Sequence, residues 1–198
     1  WSILLPIRKK SSISGDVKKM TAFSKVIKRE GLIAIEQRIH SEYPDDDFMI
    51  FGATLLTAGY SPDEIRHMLS DAAEHTYERD MIQSNILQSM GGFAPAFGMI
   101  GTLVGLIIML DKTGSDISQL GPGLALALIT TLYGVLLAQL IFIPAAEKIR
   151  QTCEIQRFRH YVLMEGFVSL SQGKDSIAVR DKLNSLIGYS KEELFENE

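Results

Sequence analysis

One cysteine, Cys153, and one tryptophan, Trp1, stand in a chain of 198 residues. A single thiol cannot build an internal disulfide framework or a multi-cysteine metal site, and the four histidines show no metal-ligand spacing. The sequence has no G-x-x-x-x-G-K-S/T, G-x-S-x-G or H-E-x-x-H motif, so nothing marks it as an enzyme. No basic excess exists to bind nucleic acid, since the formal net charge is -4. Strand alternation and internal repeats are missing as well. The lack with most consequence is of charge: Gly91–Leu110 (GGFAPAFGMIGTLVGLIIML) and Gly121–Ala146 (GPGLALALITTLYGVLLAQLIFIPAA) carry no charged side chain in a chain that is 22% charged.

Each of these runs reaches the roughly 20 apolar residues that cross a bilayer as a helix. Backbone groups in lipid must be satisfied within the segment, so the pair predicts a transmembrane helical hairpin joined by a loop at 111–120. A plain anchor needs only Leu, Ile and Val. Here the first run is studded with Gly98, Gly101, Thr102 and Gly105, and the second with Ala125, Ala127, Thr130, Thr131, Gly134 and Ala138. Small residues let backbones approach, so both helices are built to pack on other helices.

The flanks read as helix throughout. WSILLPI (residues 1–7), followed by Arg8, Lys9 and Lys10, resembles the tail of a membrane helix with an interfacial Trp and a basic stop; a start at Trp1 rather than Met is what a fragment or processed chain would show. Ser14 or Asp16 is expected to cap a helix through Ile27, with a bend at Gly31. The next helix carries Leu32, Ile35 and Ile39 and ends at Pro44 and Asp45–Asp47. Phe48–Ala58 is a short apolar helix closed by Gly59. Ser61, Pro62 and Glu64 form a capping box that starts a helix toward Met90. After Pro144 no breaker occurs until Gly173. Asp175 is expected to cap a helix ended by Gly188, and Ser190 with Glu193 a last short turn. The expected fold is an all-α membrane protein: a cytoplasmic helical domain over 8–90, spans at 91–110 and 121–146, and a helical extension and tail over 147–198. The 111–120 loop has one basic residue, Lys112, against Arg79, Lys148, Arg150, Arg157 and Arg159 on the outer flanks, which places both ends in the cytoplasm and the loop in the periplasm.

Candidate chemistry lies in the hairpin. On a helix Pro95, Gly98, Thr102, Gly105 and Met109 share one stripe, and Ala127, Thr131, Gly134 and Ala138 another. Thr102 and Thr131 both lie roughly 15 Å from the loop at 1.5 Å per residue. Their hydroxyls can coordinate a small cation, or they simply bond the carbonyl one turn back while the small residues pack. Pro95 and Pro144, near the inner ends of antiparallel helices and hence expected at similar depth, read either as a hinge at one level or as bends for packing. Ion pathways usually contain an ionisable residue. This hairpin has none, so any essential carboxylate comes from another subunit or segment.

APAFGMIGTLVGL, GPGLALALITTLYG and the following IPAAEKI resemble the third and fourth membrane helices of flagellar stator proteins of the MotA/PomA family. REGLIAIE, residues 29–36, resembles that family's charged cytoplasmic segment. TolQ and ExbB share the glycine-threonine hairpin, but TTLYG and REGLIAIE favour the stator branch; a TolQ/ExbB-type energy transducer and a non-conducting membrane scaffold are the alternatives. The resemblance, which covers most of residues 25–190, implies two further membrane helices upstream. It also implies an inner-membrane homopentamer around a dimer of a MotB/PomB-like single-span partner that brings the essential aspartate. By the same resemblance Arg29 and Glu36 face the flagellar rotor, Pro95 and Pro144 are hinge prolines, and Thr102, Thr130 and Thr131 lie on the ion route. Gly98, Gly101, Gly105 and Gly134 are expected to pack helices. No cofactor or resident metal is implied, only transported Na+ or H+, and relatives with this threonine pattern are largely sodium-driven.

Overall fold

A computed structural model describes residues 10–113 and 120–195. The expected membrane-helix tail at residues 1–7 and most of the 111–120 loop lie outside them. Every regular element among the described residues is a helix: α1 (Lys10–Glu30), α2 (Leu32–Glu42), α3 (Asp47–Thr57), α4 (Pro62–Thr113), α5 (Leu120–Leu137), a π-helical turn (Ala138–Phe142), α6 (Ile143–Ser171) and α7 (Ser176–Phe195). The chain forms two compact units, one of residues 79–153 and one of the flanking segments.

The flanking unit has an ordinary hydrophobic core. Met20 of α1, Ile35 and Ile39 of α2, Met49 of α3, Ile65 and Leu69 of α4, Phe167 of α6 and Leu183 of α7 are fully buried in it. The helices fit closely enough that a Cβ on Gly52 would lie 2.3 Å from the Phe167 ring, and one on Gly166 2.8 Å from Met20 Cγ. Local signals set most of the ends. Gly31, Gly59 and Gly173 take positive φ (86°, 78° and 67°), which glycine adopts without strain at a helix end; Gly31, with ψ 179°, is extended on that side and starts α2 as well as closing α1. The Ser61 box forms as expected: the Ser61 N–H donates to Glu64 Oε2 at 2.9 Å, and the Glu64 N–H donates to Ser61 Oγ at 3.3 Å.

Two expectations fail in this unit. α1 begins at Lys10, so Ser14 and Asp16 are interior residues rather than caps. Asp16 is 1% exposed; it accepts from Arg159 Nε at 2.6 Å and pairs with Lys19 at 3.1 Å. Arg159 also donates to Asp46, whose other oxygen caps α3 by accepting the Met49 N–H at 3.2 Å. Burial works against the Arg159 charge, but the hydrogen bonds to Asp16 and Asp46 outweigh it and hold its pKa above the ordinary value. The acidic run is thus the start of α3 and an anchor for α6, not only the end of α2. At the other end, α7 runs on through Gly188 to Phe195. Gly188 keeps a negative φ, and the second capping box falls inside a continuous helix. Asp175 holds the cap position, its carbonyl accepting the Val179 N–H at 2.9 Å, while its carboxylate pairs with Lys28.

In the second unit the apolar runs are parts of longer helices. α4 continues unbroken through Gly91-Gly92 and Pro95, and α6 through the 146/147 boundary. Their most apolar 18-residue windows have mean hydropathies of 2.1 and 2.2 yet are only 11% and 17% buried. A core helix of a soluble protein would be mostly covered. These helices present Phe93, Phe97, Leu103, Ile107, Leu128 and Leu140 outward, each at least 60% exposed, as lipid-facing or subunit-facing helices do.

Candidate functional site

Between Arg79 and Asp111 the buried positions of α4 are Ser84, Gly91, Gly98 and Gly105, seven residues apart each time. A strict seven-residue row is the seam of helices that wrap left-handedly around one another. Facing it lie Ala127 and Gly134, then Ala138, Ala146 and Cys153. None of these side chains is larger than a thiol, and the backbones close up accordingly. A Cβ on Gly98 would lie 3.0 Å from the Thr130 carbonyl oxygen; on Gly101, 2.7 Å from Thr130 Cβ; on Gly105, 3.0 Å from Ala127 Cβ. On Gly134 it would lie 2.7 Å from the Ala94 carbonyl oxygen. All four predicted packing glycines therefore sit between the two helices. At the end of the seam away from residues 111–120 the buried Ser84 hydroxyl donates to the Ala146 carbonyl at 2.8 Å.

The threonines divide. Thr130 and Thr131 both reach across the seam, their hydroxyls donating to the Gly98 carbonyl at 3.4 and 3.3 Å. Thr130 also bonds the Ala127 carbonyl of its own helix at 2.8 Å. Thr102 lies at the same level, between the Gly101–Thr130 and Gly105–Ala127 contacts, but its hydroxyl donates to Met99 of its own helix at 2.6 Å. One carbonyl and two hydroxyls thus converge on the seam in the middle of an uncharged hairpin. All are oxygens, the donor type that hard cations prefer.

The prolines are not level with each other. Gly91 faces Ile143, and Gly98 faces Thr131 and Gly134. This register puts Pro95 opposite the start of the π turn, and Pro144 about six residues nearer the helix's inner end, roughly 9 Å along the axis. The π turn, which sequence reading did not anticipate, explains how Pro144 is tolerated. A proline in an α-helix collides with the carbonyl four residues back and leaves it unbonded. Here the preceding turn is widened, so that the Ile143 N–H reaches the Ala138 carbonyl five residues back. The missed signal was a break of phase in the small-residue row: Ala127, Gly134 and Ala138 predict residue 145 next, and the seam uses Ala146.

Arg29, in the last turn of α1, is exposed, and Glu36, on α2, is half-buried. Most acidic and basic side chains in their unit are paired, for example Arg66 bidentate on Glu165 and Arg157 with Glu74 at 2.8 Å. No described residue forms an ion pair with Arg29 or Glu36, so both charges are available to a partner.

These features define a class: an all-α membrane protein whose long helices pack through small residues around uncharged, oxygen-bearing positions. The chain belongs to the MotA/TolQ/ExbB proton channel family, whose model matches residues 40–161. It is 34% identical over 187 residues to "Uncharacterized protein YtxD" of Bacillus subtilis (strain 168), covering 94% of this chain and 66% of that one. It is 30% identical over 178 residues to "Chemotaxis protein PomA" of Vibrio alginolyticus, covering 90% and 68%. Among solved structures, "Structure of the flagellar MotAB stator complex from Bacillus subtilis" superposes with a TM-score of 0.79 at 26% identity, over 91% of this chain and 70% of that chain. The chain thus spans about two thirds of the length of these relatives.

Proposed function

We propose that the protein to which this chain belongs is the ion-conducting stator subunit of a bacterial flagellar motor. The observation that carries the reading is the hairpin seam: Thr130 and Thr131 converge on the Gly98 carbonyl, yet no ionisable side chain stands in either uncharged run. Such a pathway needs a carboxylate from outside, and a MotB/PomB-like single-span partner would bring it as an aspartate. The assembly is a homopentamer around a dimer of that partner in the inner membrane, with both ends of this chain cytoplasmic. Ion passage, of Na+ in preference to H+, turns the ring about the partner. Arg29 and Glu36, which have no ion pair among the described residues, push on the rotor, and Pro95 and Pro144 allow the helices to flex between conducting states. The similarity to the chemotaxis protein PomA and to the flagellar MotAB stator complex supports this reading over a TolQ/ExbB-type transducer. A deletion strain tests it. Loss of swimming, restored by the full-length gene, is the expected result. Normal swimming with a defect in outer-membrane uptake or integrity would overturn it.

A further inference from the structure

The π turn has a property that packing alone does not require. Continued without interruption, the heptad row through Thr131 and Ala138 would run on through Ala145 and Thr152. The extra residue of the π turn moves the seam to the neighbouring row, Ala146 and Cys153. Both rows are made of small residues. Ala145 and Thr152 are half-buried beside the seam, as a row one residue out of phase should be. A helix with one committed packing face would carry large or charged residues in the second row, whereas Ala145 is small and the Thr152 hydroxyl is already satisfied by the Lys148 carbonyl of its own helix at 2.9 Å. Here the second row can replace the first at the seam without a clash of side-chain size.

We propose that Ala138–Phe142 is a register switch: the start of α6 has two packed positions against α4, related by one residue, or about 100° of rotation. In the observed position the π turn is present, Ala146 and Cys153 face α4, and Ser84 bonds the Ala146 carbonyl. In the second, the extra residue is moved out of Ala138–Phe142, and Ala145 and Thr152 take the seam. Two opposed local preferences keep the positions close in free energy. Pro144 favours the widened turn, because an ordinary α turn would press its ring on the Leu140 carbonyl. Regular α hydrogen bonding favours the second. A π turn inside an α-helix commonly marks such a working site. In the stator reading, on which this use of the switch rests, passage between the two positions accompanies ion transfer.

Disulfide trapping in the full-length protein in its native membrane, with Cys153→Ala as background, tests the switch without reference to motility. Ser84→Cys is combined in turn with Ala145→Cys, Ala146→Cys or Glu147→Cys. The expected result is cross-linking at 146 and at 145, with 147 near background. Ordinary wobble of the helix would treat 145 and 147 alike, and equal yields there would overturn the proposal. Pro144→Ala should raise the 145 yield several-fold at the expense of 146; an unchanged ratio would also count against it. Deleting Leu140 removes the extra residue while leaving Ala146 and the residues beyond it in the seam. That variant should cross-link at 146 only, and a persisting 145 product would refute the switch. Should these results hold in a strain whose motility does not depend on the gene, the stator reading fails and the register switch stands.

Discussion

Substitutions at single glycines separate close approach from mere helix membership. Gly92 and Gly134 both lie in long uncharged helices, but a Cβ on Gly92 would meet nothing within 4 Å, whereas one on Gly134 would lie 2.7 Å from a backbone oxygen that cannot swing away. Gly92→Ala should be tolerated, and should stabilise its helix by about 0.5–1 kcal/mol because alanine loses less backbone entropy. Gly134→Ala must part the helices, at about 1–3 kcal/mol for overpacking. Membrane levels of the two variants, with protease resistance of the hairpin in detergent, check the contrast. Arg29 and Glu36 call for a different measurement. Surface charges without an ion partner contribute at most about 1 kcal/mol to folding, so reversing exposed Arg29 and half-buried Glu36 together should leave membrane assembly close to normal and, in the stator reading, abolish torque. Full torque at full stator occupancy would remove them from the rotor contact. Both residues stood out in the sequence only through family resemblance. Among the described residues neither has a counter-charge, which is compatible with such a contact but equally true of Lys18, Lys25 and Glu30.

Elements were legible where a few neighbouring residues decide the geometry. The Ser61–Glu64 box shows this, and it gives a pH signature. The hydrogen bonds from the Ser61 side chain and backbone hold the Glu64 carboxyl below its ordinary 4.5. A carboxyl with a depressed folded pKa stabilises above the ordinary value and loses that contribution as the pH falls through the folded one. Fraying at the start of α4 should therefore set in on acidification below about 4.5, and Ser61→Ala, which keeps only the backbone N–H bond to Glu64, should weaken that pH dependence; hydrogen exchange at Glu64 and Ile65 reads both. Asp16 was misread for the opposite reason. Its neighbours present it as a cap, but its partner Arg159 lies 143 positions away, a distance no local pattern spans. Gly188 misled because glycine permits a left-handed turn without imposing one, and α7 continues through it where α1, α3 and α6 end at Gly31, Gly59 and Gly173. Arg159 itself ties α1, α3 and α6 together. Arg159→Ala leaves Asp16 buried without its guanidinium and should destabilise the flanking unit by about 3–5 kcal/mol, as breaking a buried ion pair does. Replacing Arg159, Asp16 and Asp46 together by apolar residues of similar size should restore most of that loss. Chemical denaturation followed by circular dichroism distinguishes the two variants.

In the stator reading proposed above, the variable that belongs to the whole molecule is the driving ion, and the oxygens of the seam favour sodium. A proton needs only the partner's carboxylate and a path of water. A sodium ion needs several oxygens at once, and the hairpin supplies them without any charge of its own: the Thr130 and Thr131 hydroxyls, with the Gly98 carbonyl they share. The 3.3–3.4 Å length of those shared bonds leaves both hydroxyls weakly held across the seam, the Thr130 hydroxyl donating mainly to the Ala127 carbonyl of its own helix at 2.8 Å. Threonine used only as glue between helices would be worth about 0.6–2 kcal/mol, so losing one hydroxyl would change stability little. Loss of a cation ligand would stop transport. In cells carrying the full-length protein, swimming speed at fixed pH should rise with external sodium and survive collapse of the proton gradient. Thr131→Ala should abolish rotation while the partner complex is still recovered intact, and Thr131→Ser, which keeps the oxygen, should retain it. Swimming that ignores sodium, falls with the proton gradient and tolerates Thr131→Ala would make the driving ion a proton and leave these hydroxyls as packing groups.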